Sequence, residues 1–364
     1  ALSLATPAAL AAAAGALGRR GVVLARPDAL EALARATHVA FDKTGTLTEG
    51  VVRLAGMRAF GGMNEAEALA IAAALESRSE HPIARAIVGA AGGEARSADD
   101  VSQVPGQGVT GTVAGRRWRL GRIDFVAEVA GPAPAALGAF AQEAGGRASV
   151  VALGDERGFV AACALGDELR PGARAAVARL AALGVSTSVL SGDRQASADA
   201  FAEAAGIPRA RGDLAPEAKR DAVAALQREG AVVAMVGDGI NDAPSLAQAQ
   251  VSVSLAGATP IAQWTSDVVV LAGGLDRIAD AIAQARRTLL VVRQNLAWAT
   301  VYNAIAIPAA ALGWVTPLVA AAGMSVSSLV VVVNAARLAR VPRSAAPAGD
   351  AAGSARPLAP AALR

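Results

Sequence analysis

The chain has 364 residues but only one cysteine, Cys163, one tyrosine, Tyr302, and two histidines, His38 and His81. A single cysteine excludes an intrachain disulfide and is compatible with a reducing compartment. Aromatic residues amount to 3%. No Lys/Arg-rich run with interleaved aromatics occurs and the net charge is a mild +3, which argues against nucleic acid as a partner. Lysine is nearly absent: of 34 basic residues only Lys43 and Lys219 are lysines. In an arginine-dominated sequence, these two mark positions where a compact point charge serves and a planar fork does not. Residues 1–18 are apolar, yet the chain has neither an initiator methionine nor a basic segment ahead of them, which argues against a signal peptide.

What is present is apolar and small. Hydrophobic residues, mostly alanine, make up 54%, and the mean hydropathy is +0.40. The length suggests roughly two or three domains. Residues 1–18 read as a partial transmembrane helix whose start is missing. Two further apolar spans, 296–312 and 317–338, have about the minimum length for a bilayer and are joined by "GWVTP". Arg286, Arg287 and Arg293 precede the pair, and Arg337, Arg340 and Arg343 follow it. The positive-inside rule then puts both ends in the cytoplasm. Residues 341–364, rich in Ala, Pro and Gly, read as a disordered tail.

Between these apolar ends the pattern is α/β. "THVAFD" (37–42), "VSTSVLSGD" (185–193), "VVAMVGD" (232–238), "VSVSL" (251–255) and "DVVVL" (267–271) are short apolar runs ending in polar or Gly-rich turns, with helical segments such as 173–183 between some of them. This predicts a doubly wound parallel sheet. The gap between the first and second runs is too long for one crossover and predicts an inserted domain. That insert has its own helix starting at Asn64, with Glu67 in capping-box position, and closes with strand-like segments 111–121 and 148–165.

Three strands end in acidic turns at Asp42, Asp193 and Asp238, the edge where open α/β sheets bind ligands. In "DKTGT", Asp42 can attack a phosphoryl group, Gly45 lets backbone approach the phosphate, and Thr44 and Thr46 can donate to its oxygens. Asp238 of "GDGIND" joins Asp42 in a hard oxygen site suited to Mg²⁺. Lys219 of "PEAK" supplies a cation. Each motif alone is an ordinary solvated loop; four of them in order after strands or helices make a strong signal.

On these residues the chain resembles the C-terminal half of a P-type ATPase of the heavy-metal-pumping branch, over residues 1–340. The resemblance implies a haloacid-dehalogenase-like phosphorylation domain (19–50 and 166–285) with an inserted α+β nucleotide-binding domain (51–165), and a C-terminal transmembrane helix pair (286–340). It makes Asp42 the residue phosphorylated by ATP, with Lys43, Thr44, Thr46 and Lys219 about the phosphate. Asp238 binds Mg²⁺, with Thr44 contributing and Asn241 and Asp242 completing the loop. Where the family carries Thr-Gly-Asp, this chain has Ser191-Gly192-Asp193, which keeps the hydroxyl. In "SEHP" and "PGQGVTG", the resemblance assigns Glu76 and His81 to adenine, and Gly106 and Gly108 to close backbone approach. Where the family often has Gly-Asn, the chain has Gly121-Arg122. His38 and Cys163 read as structural. Soluble phosphatases of the same fold carry an acid/base two residues after the nucleophile; here that position is Thr44, so an aspartyl phosphate should persist.

Alone, Tyr302-Asn303 in the first span reads as an interhelical hydrogen-bonding pair worth about 1 kcal/mol. The second span adds Met324 and Ser328, at i and i+4. A thioether suits Cu(I) and suits Mg²⁺ poorly. Together the four resemble the monovalent-copper pumps, which implies Cu⁺ as the transported ion and a copper chaperone and membrane lipid as partners. It also implies an N-terminal half with an actuator domain and a Cys-Pro-Cys just ahead of Ala1, and a multi-pass plasma-membrane location with the catalytic domains cytoplasmic.

Overall fold

The computed structural model describes residues 2–26, 28–92, 96–144, 148–239 and 242–339. The chain starts in helix α1 (Leu2–Gly18), crosses β1 (Val22–Leu24) and α2 (Ala29–Arg35), and reaches β2 (His38–Asp42). The turn Lys43–Leu47 then leads out into an insert. Its elements are β3 (Thr48–Ala59), α3 (Glu65–Glu76), α4 (Pro82–Ala90), β4 (Ala98–Val104), β5 (Gly108–Val113), β6 (Arg116–Gly121), α5 (Ile123–Ala130), α6 (Ala135–Glu143), β7 (Ala148–Asp155) and β8 (Gly158–Leu169). The chain returns through α7 (Ala173–Ala182), β9 (Ser186–Leu190), α8 (Gln195–Ala205), β10 (Ala210–Arg211), α9 (Pro216–Arg228), β11 (Val233–Gly237), α10 (Ala243–Gln248), β12 (Val251–Leu255), α11 (Pro260–Thr265) and β13 (Val268–Val270). Two long helices follow, α12 (Asp276–Ala311) and α13 (Pro317–Ala336).

The first sheet runs β1-β13-β12-β11-β2-β9-β10. Its strands pair in parallel except β1, which is antiparallel to β13. The five apolar runs of the sequence all lie in it. Strand β2 is central and wholly buried, because helices cover both faces and alternation would put polar groups into a core. Phe41, Leu33, Val236, Val189 and Ile282 belong to that core. Burying each such side chain stabilises by about 2 kcal/mol.

The second sheet is antiparallel, in the order β3-β8-β7-β6-β5-β4. Its entry and exit strands pair with each other from Thr48↔Leu169 to Ala59↔Ala161, so the insert joins the first domain through two adjacent strands. Asn64 caps α3 as its spacing predicts, its side chain accepting from the Glu67 N–H at 2.7 Å.

Helix α1 buries Ala5, Ala9, Ala13, Ala16 and Leu17, one stripe at helical spacing. Ala9 packs with Val291, Val292, Ala335 and Leu338 of the last two helices. Asn295, almost wholly buried, donates to the carbonyls of Ala5 and Val331 and accepts from Asn334, tying the three helices together.

The expected span 296–312 is no separate helix. It is the second half of α12, whose first half buries Ile278, Ala279, Ile282 and Ala285 in the main core. Among the described residues, one helix, Pro317–Ala339, is long and apolar enough by length and composition to cross a membrane. Gln294, Asn295, Tyr302 and Asn303 lower the apolarity of the other. The expected disordered tail, with Arg340 and Arg343, lies outside the described residues.

Candidate active site

Strands β11, β2 and β9 are neighbours, and their registers, Val236↔Phe41 and Asp42↔Leu190, level their C-terminal ends. Asp42, Asp193 and Asp238 therefore come to one edge. Lys219 reaches that edge from the first turns of α9, a helix started by Pro216. Its Nζ lies 2.6 Å from Asp42 Oδ1 and 2.7 Å from Asp242 Oδ1. All three side chains are buried, Asp242 to 1% exposure. Asp242, expected in the Mg²⁺ loop, is thus engaged by Lys219, because a lone buried ammonium would face one carboxylate where two are within reach.

Burial, and after it the Asp242 charge, raise the Asp42 carboxyl; Lys219 opposes both, and the net position is about 7. Burial by itself lowers the Lys219 ammonium, but the two carboxylates outweigh it and the net shift is upward. Lys219 therefore stays charged at neutral pH, while Asp42 is poised between its two forms.

The loop after Asp42 is held from several sides. Gly45 adopts φ +71°, and a Cβ there would stand 3.2 Å from Asp238 Oδ2. The Thr48 hydroxyl accepts from Gly45 N–H and donates to the Lys43 carbonyl. Arg170 grips the loop from the other side: its Nη2 donates to the Gly45 carbonyl at 2.8 Å and its Nε to that of Thr46 at 2.9 Å. The sequence reading missed Arg170, since one more arginine in an arginine-rich chain carries no local signal. Lys43, the other lysine, forms an ion pair with Asp193 and lies 4.8 Å from the Phe201 ring centroid. The Ser191 hydroxyl accepts from Asp193 N–H at 3.0 Å, and Gly192 runs beside the Leu214 carbonyl. Thr44 is exposed. Thr46 is wholly buried, and its hydroxyl has no hydrogen-bond partner among the described residues.

These residues fit Mg²⁺ and a phosphate. No group of three or more Asp, Glu, His or Cys side chains arranged for a metal occurs among the described residues. Mg²⁺ at phosphoryl-transfer sites takes one or two carboxylates plus water and phosphate oxygens, so Asp42 and Asp238 are a sufficient protein share. The orphaned Thr46 hydroxyl has a donor to give. Asn241 lies outside the described residues.

In the insert, Glu76, His81, Gly106 and Gly108 all line one cavity of about 750 Å³, joined there by Gly121 and Arg122. Leu75, Val109 and Leu120, each 1% exposed, give it an apolar floor. Gly108 and Gly121 face each other across β5 and β6, and a Cβ on either would meet the partner's Cα at 2.7 Å. His81 also caps α4, accepting from Ile83 N–H. Burial raises the Glu76 carboxyl, partly offset by a hydrogen bond from Ser79. His38 and Cys163 are structural: His38 bonds Ser188 at 2.8 Å with its pKa lowered by burial, and burial lifts the Cys163 thiol to about 12.

The four membrane-side residues are brought together only loosely. The Tyr302 hydroxyl lies over Gly323, 2.7 Å from where a Cβ would be, which places it next to Met324. Asn303 lines a shallow groove of about 450 Å³ with Thr300, Ala304, Ile307 and Pro308. Pro308 has no N–H, so the Ala304 carbonyl loses its helical donor beside Asn303. Met324 is 62% exposed and Ser328 half-buried. No hydrogen bond among the described residues joins the four. Ser327, not Ser328, faces α12, accepting from Trp298 Nε1 at 3.2 Å.

Comparison with known proteins places this geometry. The model of the haloacid dehalogenase-like hydrolases matches residues 36–250. The nitrogen fixation protein FixI of Rhizobium leguminosarum bv. viciae is 43% identical over 338 residues, 93% of this chain and 43% of that protein. A copper-exporting P-type ATPase of Mycobacterium tuberculosis is 40% identical over 344 residues, 94% of this chain and 45% of that protein. The crystal structure of a zinc-transporting PIB-type ATPase in the E2.Pi state superposes with a TM-score of 0.86 at 34% identity, covering 93% of this chain and 56% of that one. The chain thus spans less than half the length of these curated relatives.

Proposed function

The chain belongs to the haloacid dehalogenase-like hydrolase family, and from that premise we propose that it is the catalytic and C-terminal membrane portion of an ATP-driven heavy-metal pump, working through phospho-Asp42 and carrying Cu(I). The observation that carries this reading is the buried Asp42–Lys219–Asp242 triple at the sheet edge, beside the unpartnered Thr46 hydroxyl. ATP occupies the insert's cavity, with adenine on the floor near Glu76 and His81 and backbone approach at Gly106 and Gly108.

An ionised Asp42 oxygen forms a bond to the γ-phosphorus as the bond to the β–γ bridging oxygen breaks and ADP leaves. Lys219 keeps its charge against the gathering negative charge, Thr46 donates to a phosphoryl oxygen, and Arg170 holds the loop carbonyls clear of it. Asp42 and Asp238, with Thr44, would hold Mg²⁺, which would supply positive charge to offset that of the carboxylates and the phosphate. Thr44 offers no acid or base for water, so the phosphoenzyme persists; this favours a pump over a phosphatase.

Tyr302, Asn303, Met324 and Ser328 are the proposed copper-contacting residues. The exposed thioether of Met324 beside Tyr302, and the amide of Asn303 at a shallow groove, support them. Exposed Ile305, Ile307, Leu318, Leu329 and Val333 suit a lipid environment. Arg286, Arg287 and Arg293 at the junction support a plasma-membrane location with the catalytic domains on the cytoplasmic side.

The test is incubation with γ-labelled ATP and Mg²⁺. We expect an acid-stable, hydroxylamine-sensitive label that is absent from Asp42→Asn. A label that survives Asp42→Asn, or rapid release of phosphate from small phosphoesters, would overturn the reading.

A further inference from the structure

Residues 281–339 contain four arginines, Arg286, Arg287, Arg293 and Arg337, and no aspartate or glutamate. All four stand toward the domain-side end of α12 and α13, and their charge must be answered from outside this stretch. Arg286 reaches into the domain, donating to the carbonyls of Leu183 and Ala36. Arg287 donates to the Arg337 carbonyl at 3.1 Å. Arg337 is exposed; its Nη1 donates to Asn334 Oδ1 at 3.1 Å, which leaves Nε and Nη2 open. Arg293 is exposed and makes no hydrogen bond or ion pair among the described residues.

Arg293 and Arg337 belong to one collar. Asn334 donates to Gln294 Oε1 at 3.3 Å, which sets Arg293 level with Asn334. Arg337 stands one turn farther toward the domain, about 5 Å along the axis. The surroundings of the pair are apolar. Leu290 and Leu296, three residues to either side of Arg293 along α12, are 57% and 37% exposed. Val332 and Val333, one turn ahead of Arg337, are 43% and 58% exposed. A guanidinium set in an apolar stripe stands where hydrocarbon gives way to headgroups, and the counter-charge found there is a phosphate whose acyl chains cover the stripe. A free ion gains nothing from Leu290 or Val333. A zwitterionic headgroup brings its own cation against arginines that have no carboxylate among them, whereas an acidic headgroup does not.

We propose that Arg293 and Arg337 form a seat for an acidic phospholipid at the domain-side end of the helix pair, the two guanidinium groups taking the headgroup and the leucine and valine side chains taking its acyl chains. This rests on α12 and α13 lying in a membrane and names the lipid that they hold.

Native mass spectrometry of the delipidated full chain in a neutral detergent tests the seat, with short-chain phosphatidylglycerol and phosphatidylcholine as the added lipids. The unaltered protein should prefer phosphatidylglycerol about twentyfold, since each arginine near a headgroup is worth about fivefold. Arg293→Gln and Arg337→Gln should each weaken phosphatidylglycerol about fivefold and leave phosphatidylcholine within about twofold, and the double variant should show no preference. Unchanged phosphatidylcholine binding also shows that the altered helix pair is folded. Arg53→Gln, in an exposed residue of the insert, should change neither lipid; a loss there equal to that of Arg293→Gln would make the preference a matter of overall charge and overturn the seat. Displacement of phosphatidylglycerol by an equal concentration of glycerol phosphate would make the ligand a free phosphate and overturn the lipid. Equal binding of the two lipids by the unaltered protein would overturn the proposal but spare the membrane reading. Binding of neither, by a chain that stays monodisperse without detergent, would overturn both.

Discussion

Replacing Lys219 with methionine retains much of the stem and deletes the ammonium. Asp42 and Asp242, at 5% and 1% exposure, then share a buried site without their cation. Breaking a buried ion pair by removing one partner costs about 3–5 kcal/mol, because the remaining charge is uncompensated. For a domain of this size that lowers Tm by about 10 °C. The loss should depend on pH. The Asp42 carboxyl is held up at about 7 by burial and by Asp242 even with Lys219 present. Its folded pKa lies above its unfolded one, so the folded state keeps a proton that the unfolded state releases. The resulting penalty is absent below the unfolded value near 3.8, grows as pH rises, and is complete above about 7. Without Lys219 the folded pKa climbs further, so Lys219→Met should cost most at pH 8 and much less at pH 5. Asp242→Asn added to Lys219→Met should recover a large part of the loss, since it removes the charge that repels Asp42. Thermal unfolding in detergent and EDTA at the two pH values measures the unaltered protein, Lys219→Met and the double variant. A shift that is the same at both pH values, or a double variant no more stable than the single, would refute the electrostatic account.

Arg170→Ala should slow Asp42 labelling about a hundredfold through a misplaced loop, while leaving ATP affinity unchanged; a parallel fall in affinity would refute the positioning role. Gly121→Ala places a methyl 2.3 Å from the Gln107 carbonyl oxygen, so adenosine and ATP should lose affinity together, read by calorimetry. Gly323→Ala meets the Tyr302 hydroxyl at 2.7 Å. It should weaken Cu(I) binding, measured by competition with a colorimetric chelator, and leave ATP binding intact.

The convergence of the acidic motifs at one sheet edge was legible because each motif is local in sequence. Asp42 and Asp238 stand in short motifs at strand ends and Lys219 in one that starts helix α9, and parallel strands bring their ends together whatever the packing details. The cavity residues Glu76, His81, Gly106 and Gly108 converged for the same reason. Arg170 was not legible, because it acts 124 residues from Thr46 and only the adjacency of β3 and β8 brings them near. The pairing of Asp242 with Lys219 was hidden too, since a motif names a carboxylate but not which neighbour claims it. Hydropathy found the apolar half of α12 but not its continuity, because polarity changes along that helix while no breaker interrupts it before Pro308. It gave no way to choose between Ser327 and Ser328, adjacent in sequence but about 100° apart around the helix.

That continuity has a mechanical meaning. Helix α12 has 36 residues and is about 54 Å long. One end is clamped in the main core through Ala279 and Ile282; Asn303 and Pro308 ride on the other. From Ala279 to Asn303 is about 36 Å of unbroken helix. With no loop between to absorb motion, a tilt of about 5° at the clamped end swings Asn303 by about 3 Å, comparable to a metal-coordination distance. The helix is a lever arm, and small rotations at its clamped end are magnified at Asn303.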